Sequence, residues 1–236
     1  MHDFGHFAYL DLHKTGSSYV SKFLRECCTC KETYFKKHDW VTNDFHVNKF
    51  YFISIRNPLS MYSSLYRYGL DRKGDVFGRL KRSNNLKVYD SFEYFVTFLL
   101  DSENANILGY GYRQNVAESM GFMSFRFLKL SLQHPMQKIT QILKKGEKLE
   151  SLEQQFITRL EIRTEELNEG LRVFSKDIFP QYFNQISVDR FLLDSEKVNS
   201  SKTTPEKIDL TVSDNAMNEL KDKEKLLFSR YSTNLF

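Results

Sequence analysis

The chain has 236 residues, of which 41% are hydrophobic and 27% charged, a balance that suits a sizeable core and excludes extensive disorder. Its 34 basic and 30 acidic residues leave a net charge of +4, which fits an anionic small ligand and, without a clustered basic motif, argues against nucleic acid. Cys27, Cys28 and Cys30 are the only cysteines and have no Cys/His pair at zinc-finger spacing, so they read as thiols of a reducing compartment. With no apolar run of about 18 residues and no apolar leader at the N-terminus, the expectation is one cytoplasmic domain over residues 1–236.

Residues 7–12, Phe-Ala-Tyr-Leu-Asp-Leu, are β-prone and mostly apolar. They run straight into His13-Lys14-Thr15-Gly16-Ser17-Ser18 and then into a stretch with apolar positions at Val20, Phe23 and Leu24. The pattern predicts a strand, a tight loop turned at Gly16, and a helix capped by Ser17 or Ser18. A helix start leaves amide N–H groups without partners and carries partial positive charge, so such a loop is an anion site, to which Lys14 adds a full charge and the hydroxyls add donors.

Residues 50–55, Phe-Tyr-Phe-Ile-Ser-Ile, repeat the arrangement. Arg56 ends the predicted strand, Asn57 is a suitable N-cap and Pro58 suits the first helical position. Ser64 lies about two turns into that helix, where its hydroxyl and the Arg56 guanidinium can meet one phosphate. Two anion grips imply a ligand with two anionic ends.

These two stretches resemble the sulfotransferases that use 3'-phosphoadenosine 5'-phosphosulfate (PAPS). Lys14-Thr15-Gly16-Ser17-Ser18 is similar to the family's 5'-phosphosulfate loop, and Arg56-Asn57-Pro58 with Ser64 to its 3'-phosphate motif, in the family's order and each at a strand-to-helix junction. The resemblance implies an α/β fold, a P-loop-like central parallel sheet flanked by helices, with Lys14, Thr15, Gly16, Ser17, Ser18, Arg56 and Ser64 binding PAPS. It implies transfer of a sulfuryl group to an acceptor hydroxyl, with Lys14 neutralising charge on the oxygen between phosphorus and sulfur. Residues 31–49 contain His38, Trp40 and His46, and a His titrates in the range needed by a base that deprotonates the attacking hydroxyl. Phe35-Lys36-Lys37-His38 resembles the family's base-bearing segment, so His38 is the expected base, with His46 and Glu161 as alternatives.

Further along, residues 70–87 are basic and Gly-containing and read as a solvated loop, with a lid over an anionic acceptor as the functional alternative. Asp90 and Glu93 have capping-box spacing before an apolar helix reaching Leu100. Tyr110 and Tyr112, in a Gly-containing loop, either line an acceptor pocket or are partly buried in the core. Residues 120–132 are Phe- and Leu-rich core of ambiguous period, and residues 136–145 form a helix stopped by Gly146.

Residues 156–162 resemble the family's late core strand, on which Glu161 is more structural than catalytic in character, and Thr164 is the expected cap of the next helix. Residues 198–201 resemble a segment of the family's glycan-type branch, and together with the short spacing from the first helix to the base they make a saccharide hydroxyl the expected acceptor; Glu224 stands where that branch frequently has Asp. Ser213 is expected to cap one closing helix. A P-loop kinase is disfavoured because G-x-x-x-x-G-K-[ST] is absent; a non-catalytic nucleotide-binding relative remains the other alternative.

Overall fold

The computed structural model describes residues 1–41, 48–194 and 208–233. Among them, strands β1 (His2–Asp3), β2 (Phe7–Leu10), β3 (Tyr34–Phe35), β4 (Phe50–Ile55) and β5 (Thr158–Arg163) form one sheet in the order β3-β1-β2-β4-β5. β2, β4 and β5 run parallel, whereas β1 is antiparallel to both β2 and β3. The expected parallel sheet is therefore corrected to a mixed one. β1 reaches β2 through a short turn with Gly5 at φ 83, a connection open only to an antiparallel pair, while the step from β2 to β4 passes through a helix.

The helices are α1 (Ser17–Cys27), α2 (Pro58–Leu70), α3 (Asp75–Arg82), α4 (Phe92–Leu100), α5 (Ala105–Leu108), α6 (Gln114–Ala117), α7 (Phe122–Ser131), α8 (Pro135–Lys145), α9 (Leu167–Val173), α10 (Gln185–Leu193), α11 (Asp214–Lys223) and α12 (Lys225–Ser232). Strand alternation distributes them over two faces. Ala8 and Leu10 of β2 with Tyr51, Ile53 and Ile55 of β4 pack against α2, α4, α7 and the closing pair α11 and α12. Phe7 and Tyr9 with Phe52 pack the other way, against α1, α9 and α10. Both faces being covered explains why these short strands read as near-continuous apolar runs. No helix among the described residues is long and apolar enough to cross a membrane.

Several boundaries differ from expectation because a tertiary partner outweighs the local rule. The first strand stops at Leu10, and the N-cap of α1 is Gly16 in the left-handed region (φ 79, ψ 17), not Ser17 or Ser18. Ser91 caps α4 through the Tyr94 N–H at 3.1 Å, and Glu93 instead accepts from the Ser213 hydroxyl at 2.6 Å. Thr164 caps nothing; its hydroxyl donates to the Ile55 carbonyl at 2.9 Å, tying β5 to the end of β4. The stretch expected to be a solvated loop contains α3, which buries Val76 and Leu80. Residues 120–132, ambiguous in period, are helical over α7, with every residue of that helix buried.

The expected closing helix is two, α11 and α12, parted at Glu224. Glu224 is fully buried and accepts from the Tyr62 hydroxyl at 2.7 Å, the Ser124 hydroxyl at 2.6 Å, and the Met123 and Ser124 N–H groups at 2.9 and 2.7 Å. It therefore caps α7 from a residue about a hundred positions away, placing a carboxylate at the positive end of that helix.

Candidate functional site

The parallel register aligns Leu10 of β2 with Ile53 of β4, so the loops leaving both carboxyl ends lie side by side. Ligands of open α/β sheets bind at such carboxyl ends. The loop after β2 carries Lys14 at φ 65 and Gly16 at φ 79, two left-handed residues in a four-residue turn. The left-handed angle favours glycine, and an added Cβ on Gly16 would also have to displace the end of the Leu167 side chain, whose Cδ1 it would meet at 2.6 Å.

This geometry leaves the amide N–H groups of residues 13–18 without a hydrogen-bond acceptor among the described residues; the first bonded amides are those of Tyr19 and Val20, on the Gly16 carbonyl at 2.9 and 3.2 Å. A run of unpaired amides at a helix start is an anion cradle. The Thr15 hydroxyl does not join it. It is buried and donates to the Leu12 carbonyl at 2.9 Å. That leaves Ser54 to donate to Thr15 (2.8 Å) and Tyr9 to donate to Ser54 (2.6 Å), a hydroxyl chain that anchors the loop in the sheet. Thr15 can thus offer a ligand only its amide, Ser17 is half-buried, and Ser18 is exposed.

Lys14 lies with Nζ 4.1 Å from the Tyr68 ring centre. Burial, reinforced by the positive charges of Arg56 and Lys37, lowers its ammonium pKa to about 8. The Arg56 Nη1 group donates to the Lys14 carbonyl at 3.4 Å, while its buried Nε has no hydrogen-bond partner among the described residues and stands 4.0 Å from the Glu165 carboxylate. Asn57 caps α2 through the Ser60 N–H at 3.4 Å with Pro58 at the first position, as the sequence predicts. Ser64 is half-buried two turns into α2, its hydroxyl uncommitted among the described residues.

His38 sits across from Lys14's loop at φ 56. Its backbone N–H donates to both Asp11 carboxylate oxygens at 3.0 and 2.9 Å, and its ring Nδ1 is 2.6 Å from the Asp11 carbonyl. A carbonyl only accepts, so Nδ1 carries the proton and Nε2 presents a lone pair. Burial holds this imidazole below its usual pKa, and its neighbour His13 well below, so both are neutral near pH 7. The two rings stack with centroids 3.3 Å apart.

His13 and His38 also line a small cavity of about 20 Å³ with Tyr110, Arg126, Lys129 and Leu130. Tyr110 thus faces a cavity, whereas Tyr112 is core, its hydroxyl on the Met120 carbonyl at 2.8 Å. Neither His13 nor Arg126 stands out from a motif. The signal was a pair of cations, Arg126 and Lys129, one turn apart in an otherwise Phe- and Leu-rich run. A larger cleft of about 320 Å³ runs beside α1 and includes Ser17, Ser18, Lys22 and Lys37, but not Lys14, Arg56 or Ser64.

Glu161 is buried and bound in a two-pronged pair by Arg230 at 3.1 and 2.8 Å. His46 and residues 198–201 lie outside the described residues. Burial pushes the Cys27 and Cys28 thiols up to about 11 and about 12, so both stay protonated. No protein-family model, curated protein or solved structure matches the chain.

Proposed function

We propose that this chain is a PAPS-dependent sulfotransferase acting on an acceptor hydroxyl, with a saccharide as acceptor, and that the β2-β4-β5 core is the nucleotide-binding sheet of a sulfotransferase fold. One observation carries the reading. The open amides of residues 13–18, the ammonium of Lys14 and the guanidinium of Arg56 belong to two loops side by side at adjacent strand ends, joined where Arg56 donates to the Lys14 carbonyl at 3.4 Å, with the Glu165 carboxylate 4.0 Å from Arg56 Nε. Open amides with two cations beside them suit an anion, and their division between two loops suits one with two anionic ends.

PAPS, when bound, supplies an activated sulfuryl group. The chain's own residues then have distinct tasks. The loop amides and Lys14 hold the 5'-phosphosulfate and stabilise the charge left on the 5'-phosphate oxygen as its bond to sulfur breaks. Arg56 and Ser64 hold the 3'-phosphate and turn remote binding energy into alignment of sulfur. His38 takes the acceptor's proton on Nε2 as the acceptor oxygen bonds to sulfur, and the Asp11 carbonyl stabilises the resulting imidazolium through Nδ1. The Asp11 carboxylate, 3.4 Å from Nδ1, adds the countercharge.

The test is calorimetry with adenosine 3',5'-bisphosphate and 5'-AMP. The wild type is expected to prefer the bisphosphate, and Arg56→Ala to erase about tenfold or more of that preference, the scale of one charge-assisted contact. Equal weakening of both nucleotides, or no binding of either, sinks the assignment. Magnesium-dependent binding of ATP alone points instead to a kinase.

A further inference from the structure

Arg126 is 4% exposed on α7, a helix buried on all sides, and its Nε and Nη1 have no hydrogen-bond partner among the described residues. The guanidinium centre lies 4.1 Å from the Phe122 ring centre and 4.9 Å from that of Tyr110. The nearby carboxylate is already used: Asp75 is paired with Arg79 at 2.5 Å and accepts from the Tyr110 hydroxyl. His13 Nδ1, in the same cavity, is buried and equally unpartnered. Lys129 completes the wall, held by the Tyr110 carbonyl at 2.6 Å and the Trp40 ring at 4.0 Å.

A buried charge with open donors costs several kcal/mol, and leucine would fill this helical position without that penalty. The cavity has room for one bound oxygen, and an anion's oxygen would both satisfy the open donors and balance the buried charge. This room of about 20 Å³ takes the tip of one oxygen-bearing group, which suits a planar carboxylate and crowds a tetrahedral sulfate. A carboxylate also matches the guanidinium edge in a two-pronged bond.

We propose that Arg126 and His13 form a subsite for one carboxylate carried by the acceptor, with His38 on the shared wall placing that acceptor's hydroxyl against Nε2. The acceptor role rests on the transferase reading above; the carboxylate affinity does not.

The probe is formate, titrated into the full chain while the arginine Nε–H and histidine ring signals are followed by nitrogen-15 NMR. The Arg126 signal is identified by its loss in Arg126→Gln. If that variant fails to fold, the His13 ring signal reports on the same cavity in the wild type. We expect saturable shifts of both with a Kd on the order of 10 mM, within the ceiling for three heavy atoms, undiminished by saturating adenosine 3',5'-bisphosphate. Sulfate should bind more weakly than formate. Signals unmoved at about 0.1 M formate, ten times that Kd, overturn the subsite. Sulfate binding as tightly as formate overturns its selectivity, and competition with the bisphosphate assigns the guanidinium to the nucleotide instead. Absence of bisphosphate binding overturns the transferase reading and the acceptor role, whatever formate does.

Discussion

Two side chains set opposite limbs of the expected pH dependence. His38 works as a base only when neutral, and burial lowers its pKa below the usual 6.5, so kcat/KM for PAPS should fall only as pH drops under that value. Lys14 works only when protonated, and burial beside Arg56 and Lys37 lowers it to about 8, so the same parameter should fall again as pH rises past about 8. Bound anion favours the ammonium, which moves the alkaline limb of kcat above that of kcat/KM. Lys14→Arg, whose charge does not titrate, should remove the alkaline limb from whatever activity remains. His38→Ala should remove the acid limb and lower kcat by about 10² to 10⁴, the usual span for a lost general base. A steady-state series in both variants checks these outcomes, and an alkaline limb surviving Lys14→Arg would take the lysine out of the chemistry.

At the scale of elements, the parts legible in the sequence are those decided within a few residues. β2, β4, the Asn57-Pro58 start of α2 and the Gly146 stop of α8 all follow from apolar runs and turn chemistry, whereas the strand at β5 was legible through the resemblance of residues 156–162. The Lys14 and Arg56 loops were legible for the same reason, and their meeting followed once β2 and β4 paired. What stayed hidden depends on partners far along the chain: Thr164 serving Ile55, Glu93 serving Ser213, and Glu224 capping α7. Arg126 was hidden too, because a guanidinium's lack of partners is a property of packing and not of its own position in a motif. Glu224→Ala should cost about 3 to 5 kcal/mol, since it strips four donors, three of them in the first turn of α7, of a buried acceptor. Glu224→Gln should cost less, losing only the bonds that its amide group cannot accept. Urea midpoints with unchanged slope check both, with Glu26→Ala as a control that should stay within about 0.5 kcal/mol because its pair with Lys22 is exposed.

For the molecule as a whole, the balance of protonation at the sheet's edge sets acid stability. His2, His13 and His38 are all held below their usual pKa, by burial before any other cause, although Glu32 and Asp11 oppose the shift at His2 and Asp11 at His38. Depressed folded-state values mean that the unfolded chain binds protons which the native chain refuses, so this contribution is complete above about 6.5 and is lost as pH falls toward and through the folded values. Most carboxylates titrate well below that window and cannot imitate the effect. The melting temperature should therefore hold near pH 8 and decline from about pH 6.5 downward. Unfolding near pH 6 should take up protons, measurable as a calorimetric enthalpy that varies with the ionisation heat of the buffer. His13→Gln should flatten the decline most, because its imidazole is the one furthest depressed and has no carboxylate to compensate it. A melting temperature constant between pH 8 and pH 5.5 would mean that the imidazoles take up protons without leaving the fold, and the neutral pair beside Lys14 would lose its basis.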